Sequence, residues 1–253
     1  MCLIVFAVNA HPDYPFILAG NRDEFYERPA RAAAKWNTEP TIVAGKDLKA
    51  GGTWLGVAQT GRIAALTNFR DMRQIKKNAP SRGDIVTDVL TSPKTVPDYF
   101  TQLQKSAKNY NGFNLLAGTP DAFYHFSSVE NSFQKTETGV YSISNAHLNT
   151  SWPKTDWAQQ EFKKILKSGH IENDSIFNLL KNQQTYPKER LPKTGLPEHL
   201  EIAVSAVFIK TENYGTRCST LIKVNSKGGI YFEERTYSTE DTSVTKRSIH
   251  ELP

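Results

Sequence analysis

Cys2-Leu3-Ile4-Val5-Phe6-Ala7-Val8, a turn at His11-Pro12-Asp13, and Phe16-Ile17-Leu18-Ala19 running into Gly20-Asn21-Arg22-Asp23-Glu24-Phe25 form the stretch on which the reading of this chain depends. Two apolar runs split by a short polar turn read as the two strands of a hairpin. Antiparallel strands run back beside each other, so the end of the second returns to the start of the first. Cys2 is therefore expected beside Asn21, Arg22, Asp23 and Glu24. On an extended strand Arg22 points to the face opposite Asn21 and Asp23.

Position 2 gives the cysteine a second chemical group. Initiator methionine is commonly removed when a small residue follows, and removal of Met1 would leave Cys2 with a free α-amine beside its own thiol. An α-amine titrates at about 7.7–8.0 and cycles a proton easily near neutrality. The thiol is expected to be lowered by a neighbouring cation such as Arg22. The competing reading is a small apolar residue at the start of a buried strand. Arg22 and Glu24 likewise read either as site residues or as partners of each other and of sheet-edge groups.

With 253 residues, 38% of them hydrophobic, the chain is long enough to bury a substantial core, and 1–253 reads as a single domain. The net charge of +5 comes from scattered basic residues. A solvated face explains it better than a nucleic-acid surface, and no nucleic-acid partner is expected. Two cysteines make no disulfide framework, and the sequence leaves open a meeting of Cys2 and Cys218 in space. Their number suits a reducing, cytoplasmic setting. Leu3 to Val8 is too short to span a membrane, so no integral membrane segment is expected. The six histidines are widely spaced, and neither a phosphate loop nor a Gly-x-Ser-x-Gly elbow is present. No metal site and no cofactor are expected.

Along the chain, 28–39 reads as a loop, 41–44 as a short strand, and 54–58 and 63–67 as a hairpin that delivers Asn68 to a strand end. Ser81 with Asp84 resembles a capping box opening a helix to Leu90, and Pro97 opens a second helix. Strands are expected at 113–118, 122–127 and 140–144, the last ending beside Asn145. Helices follow at 154–167 and at 174–182, the latter with an Asn173 or Asp174 cap. Segments 201–210, 217–225 and 230–237 close the chain as strands. This order supports an α+β fold.

Gly20-Asn21-Arg22-Asp23-Glu24-Phe25, with Met1-Cys2 before it and Arg28-Pro29 after it, resembles the signature of the NRDE family, also called the transport and Golgi organisation 2 family. Further stations follow in order: Gly51-Gly52-Thr53-Trp54, Leu66-Thr67-Asn68-Phe69-Arg70-Asp71, Ser81-Arg82-Gly83, Phe113-Asn114-Leu115-Leu116, Ser144-Asn145-Ala146 with Trp152 and Lys154, and Tyr214-Gly215-Thr216-Arg217. More distantly the chain is similar to the cysteine N-terminal-nucleophile (Ntn) hydrolases of the penicillin V acylase and bile-salt hydrolase type. In the bile-salt hydrolase type an arginine stands just before the asparagine, where this chain has Gly20.

That resemblance implies a four-layer αββα sandwich and an amidohydrolase acting on an N-acyl carbon–nitrogen bond. Cys2 would be the nucleophile, Asp23 the carboxylate orienting its amine, and Asn68 the oxyanion donor. Asn21, Arg22, Glu24, Asn145 and Arg217 would line the substrate. From the residues themselves, Asn68 also reads as an ordinary strand-ending asparagine and Arg217 as a surface arginine. Within the NRDE family no reaction is settled. Its links to lipid-derived acyl groups and to haem trafficking imply an alternative: a carrier for haem or acyl-CoA, with Cys2 facing the iron or the thioester. The expected partner is thus a small amide, acyl or haem ligand.

Overall fold

The structure is a computed structural model that describes residues 2–253. Met1 and its expected removal lie outside the described residues.

The opening hairpin forms as β1 (Cys2–Val8) and β2 (Phe16–Phe25), paired antiparallel with Cys2 directly opposite Arg22. β10 (Gly139–Ile143) flanks β1, and β11 (Tyr214–Val224) flanks β2. Beyond β11 come β12 (Ile230–Tyr237) and β13 (Val244–Leu252), which complete a six-stranded sheet in the order β10-β1-β2-β11-β12-β13. The other sheet holds seven strands in chain order. These are β3 (Ala30–Trp36), β4 (Ile42–Asp47), β5 (Leu55–Ala58), β6 (Ile63–Asn68), β7 (Phe113–Thr119), β8 (Ala122–Ser127) and β9 (Ser132–Lys135).

The sheets pack face to face over Ile4, Phe6, Phe16 and Leu18 from one and Leu55, Val57, Leu116 and Phe123 from the other. Helices α1 (Gly83–Thr91) and α2 (Val96–Gln104) cover the outer face of the seven-stranded sheet, burying Val86, Val89 and Phe100 against Leu115 and Phe126. Helices α3 (Pro153–Lys167) and α4 (Asn173–Leu180) cover the six-stranded sheet, with Phe162 and Phe177 against Val5 and Ile17. The central strands of the sandwich thus bury both faces, which explains why β1 reads as a continuous apolar run. This is the α+β, four-layer αββα arrangement that the family resemblance implies.

Several elements differ from the sequence reading. Residues 30–36 form β3 rather than a loop. Its alanines carry little strand preference, but the Ala33 N–H donates to Glu234 Oε1 across the sandwich at 2.7 Å. The segment expected as a strand at 201–210 instead holds helix α5 (Glu198–Ala203), started by Pro197, and a turn; only Lys210 makes a bridge, to Gly215. Edge strands β9 and β13 are mixed in polarity and carried no apolar signal. Arg82, with no capping side-chain bond, occupies the cap position of α1, while Ser81 Oγ accepts from the Gly83 N–H. At α4 the cap position is Glu172, and Asp174 pairs instead with Arg235.

Phe123 packs against both Phe6 and Phe16, at centroid distances of 5.5 and 4.5 Å, and so couples the two sheets. Replacing it by alanine is expected to cost about 3–5 kcal/mol of stability, read as a lower urea midpoint at unchanged slope.

Candidate active site

Strand order builds the site. Arg22 on β2 lies between Cys2 on β1 and Cys218 on β11, all three on the face that looks into the gap between the sheets. Two strand spacings, about 10 Å, therefore separate the cysteines, too far for a disulfide. The possible meeting of Cys2 and Cys218 does not occur.

Arg22 is 5% exposed, and Nη2 bonds Asp47 Oδ2 of the opposite sheet at 3.0 Å. Its guanidinium lies 4.3 Å from the centroid of the Trp54 ring. Gly45 makes room for that ring: a Cβ there would fall 2.3 Å from Trp54 Cη2. Glu24 stands 3.9 Å from Arg22 and 3.7 Å from Arg28, so the expected Arg22–Glu24 pairing is present but secondary to Asp47. Gly20 lies across from Ile4, where a Cβ would fall 2.8 Å from the Leu3 carbonyl oxygen. No arginine fits at that position, and the cation arrives from Arg22 instead.

A cavity of about 130 Å³ opens at this end of the gap, lined by Cys2, Arg22, Asp23 and Glu24 from the hairpin, Asn68 from the end of β6, and Arg28, Asp47, Thr53, Trp54 and Arg82 from elsewhere. Of the residues expected from the sequence, Cys2, Arg22, Asp23, Glu24 and Asn68 meet here.

The other three do not line it. Asn21 faces the helices, where its Nδ2 donates to the Leu180 and Val207 carbonyls, both at 2.9 Å. Asn145 is fully buried and donates to the Asn68 backbone carbonyl at 2.9 Å, so it positions Asn68 from behind. Arg217 sits at an irregularity between Thr216 and Cys218 and gives Nη1 to the carbonyls of Phe25, Tyr26 and Arg28, clamping the chain after β2.

Asp23 is 2% exposed and accepts from Thr216 Oγ1 at 2.6 Å, while Tyr214 donates to its backbone carbonyl at 2.9 Å. Burial pushes its carboxyl up, against the opposing pull of Lys154, Thr216 and Arg22. Lys154 is itself buried, donates to the Val204 carbonyl at 2.9 Å, and is pushed down by burial to about 8. The Cys2 thiol corrects an expectation. Desolvation raises it, the Asp23 charge adds to the rise, and the pull of Arg22 is too weak to reverse the sign.

Sequence reasoning missed Asp47, Trp54, Arg82 and Lys154 as site residues. Trp54, Arg82 and Lys154 fall within the motifs quoted above, but nothing local marks them as converging on Cys2. Among the described residues no group of three or more His, Cys, Asp or Glu side chains is placed to hold a metal ion. Among them, too, no helix is long and apolar enough to cross a membrane.

A family model described as Transport and Golgi organisation 2 matches residues 1–239. The chain is 34% identical over 273 residues to the Transport and Golgi organization protein 2 homolog of Bos taurus, covering 100% of this chain and 99% of that one. To the Homo sapiens homolog it is 33% identical over 274 residues, with the same coverage. Among solved structures, the mutant C2A conjugated bile acid hydrolase from Clostridium perfringens matches with a TM-score of 0.50 at 9% identity, over 100% of this chain and 97% of that one. This last likeness is one of fold.

The raised thiol sets a pH profile. Alkylation of Cys2 by iodoacetamide is expected to be slow at pH 7 and to rise with a midpoint above the ordinary 9.0. Asp23→Asn removes the negative charge that disfavours the thiolate, so the midpoint moves down.

Proposed function

Because this chain belongs to the Transport and Golgi organisation 2 family and shares its fold with conjugated bile acid hydrolase, we propose that it is a cysteine Ntn amidohydrolase. What carries the reading is the convergence of Cys2, Asp23 and Asn68 on one cavity at the open end of the sandwich.

In this reading Met1 is lost and the Cys2 thiol gives its proton to its own α-amine as the sulfur attacks the amide carbon. The carbon–sulfur bond forms while the carbonyl oxygen becomes an oxyanion, held by the Asn68 amide and a backbone N–H. Collapse breaks the carbon–nitrogen bond, and the leaving amine takes the proton from the α-ammonium. Water then attacks the thioester, again with the α-amine as base, releasing the carboxylic acid and restoring the thiol. Asp23 holds the amine by a charge-assisted hydrogen bond. A thiol that burial keeps protonated suits this scheme, since nucleophile and base act in one step.

One observation favours a second reading. A raised thiol is also what an inert binding pocket would show, and the family resemblance points to haem or acyl-CoA as cargo. Among the described residues no histidine lines the cavity, which leaves Cys2 as the side chain there suited to haem iron.

Intact-mass spectrometry of untagged protein, before and after a thiol-directed electrophile, separates the two readings. Loss of the Met1 mass, with labelling absent from Cys2→Ser, is expected, together with N-acyl amide hydrolysis that Asn68→Ala lowers about 10²–10³-fold in kcat. Retained Met1, or a Cys2 that stays unlabelled even above the ordinary thiol value of 9.0, sinks the nucleophile and leaves the carrier, to be tested by haem and acyl-CoA titration.

A further inference from the structure

Among the described residues Arg82 is the cation of the cavity that no carboxylate meets within ion-pair distance, Glu24 acting on it only from further off. Asp47 Oδ2 takes Arg22 at 3.0 Å and Arg28 at 2.6 Å, and Glu24 lies within 4 Å of both. Among the described residues Arg82 forms one hydrogen bond, from Nη1 to the Gly112 carbonyl at 3.1 Å, and no ion pair. Three guanidinium groups line the cavity against the carboxylates of Asp23, Glu24 and Asp47; the first of these is enclosed with Thr216 and Lys154 on the helix side of the sheet. Among the described residues Arg82 is thus the one of the three cations that makes no ion pair, in a partly desolvated place. Asp84, the next acidic residue along, is exposed and lines neither this cavity nor its neighbour.

That neighbour is a groove of about 390 Å³ walled largely by apolar side chains, among them Phe25, Phe69, Met72, Ile75, Leu196 and Leu200. It shares Glu24, Asn68 and Arg82 with the polar cavity. Phe25 and Ile75 are each 53% exposed, an apolar surface that is costly to leave in water and that borders the site directly. A carbonyl held at Asn68 would thus stand at the boundary of two compartments. An apolar chain fits the groove, and a small polar group of a few heavy atoms fits the cavity.

We propose that Arg82 is a specificity-determining residue that pairs with a carboxylate on the amine side of the substrate, so that the chain takes anionic N-acyl amides with the acyl chain in the groove. The assignment rests on the amidohydrolase reading for which side of the amide is which. The guanidinium fork matches a carboxylate with two parallel hydrogen bonds, and a charged acceptor in a partly desolvated site strengthens them. An uncharged amide of the same length would leave Arg82 uncompensated.

The test uses a matched pair, N-dodecanoylglycine and N-dodecanoylethanolamine, which share the chain and the amide and differ in carrying a carboxylate or a hydroxyl. Binding is measured by calorimetry at low salt on the Cys2→Ala protein, which cannot turn either over, with Arg82, Arg82→Gln or Arg82→Lys. The glycine conjugate is expected to bind at least tenfold more tightly with Arg82, and the preference to collapse in Arg82→Gln. Arg82→Lys, which keeps the charge and loses the fork, recovers part of the preference. Equal affinity for the pair, a preference that survives in Arg82→Gln, or no binding of either ligand overturns the proposal. Turnover of the same pair by the protein with Cys2 intact reads the amidohydrolase separately. Selective binding without hydrolysis defeats that reading alone, and hydrolysis of both at equal efficiency defeats only the role of Arg82.

Discussion

A guanidinium enclosed between two sheets has to be matched where it lies, because a buried charge without a partner costs several kcal/mol. Arg22 meets this constraint through Asp47 on the facing sheet and the ring of Trp54, and much of the site follows from it. Asp47 can serve only if its own turn is fixed. Its other oxygen accepts the N–H groups of Lys49 and Ala50, and Arg28 shares its Oδ2. The turn so held leads to Thr53, whose N–H donates to the Gly83 carbonyl at the start of α1. A chain of contacts thereby runs from Arg22 to the residue beside Arg82, and the cation that closes one sheet against the other also sets the cavity wall opposite Cys2.

Alternation along β2 divides the labour. Arg22 and Glu24 face the gap and shape the cavity, while Asn21 faces the helices and Asp23, which borders the cavity, is held from behind by Thr216. Asn21 ties the end of α4 and the buried Val207 segment to the central strand, and Ser219 donates to its Oδ1 at 2.6 Å. Asn68 is supported in the same indirect way. Asn145 holds its backbone carbonyl, and the preceding Thr67 shares a buried network in which Asn114 donates to Thr67 Oγ1 and to the Ala146 carbonyl and meets His125 Nε2. Burial lowers His125 to about 4, so this network stays neutral near pH 7. The asparagines that the family motifs highlight are thus largely positioning residues, and the side chains that face open space are fewer.

The opening hairpin was legible because both its strands are buried on both faces and so carry long apolar runs, and because hairpin geometry brings Cys2 to Arg22 without help from the rest of the chain. The strand ends at Asn68 and Asn145 were legible for similar reasons. Strand β3 was not, since Ala30 to Trp36 relies on a partner more than two hundred residues away at Glu234. Helix α5 was masked by the apolar run Val204 to Ile209, which is buried yet, among the described residues, joins no ladder beyond the bridge at Lys210. Asp47 had no local signature, and Arg82, although inside a family motif, had none that aimed it at Cys2: each is an ordinary charged residue until the turn and the helix start converge on the cavity. The thiol was misjudged for the same physical reason, because proximity to Arg22 can be read from a hairpin but desolvation cannot.

Desolvation also bears on how the site would work. Both Cys2 and Asp23 are pushed toward their neutral forms, so the cavity resists any arrangement that forms a lone thiolate. A nucleophile whose base belongs to the same residue avoids that difficulty, because the proton moves a short way and no net charge enters the site. Arg22 and Arg28 are already neutralised by Asp47 and Glu24 and contribute a fixed frame rather than a free field. Among the described residues Arg82 makes no such ion pair, and its guanidinium holds only the Gly112 carbonyl. In a site that disfavours uncompensated charge, the group best able to relieve it is one that arrives with the substrate.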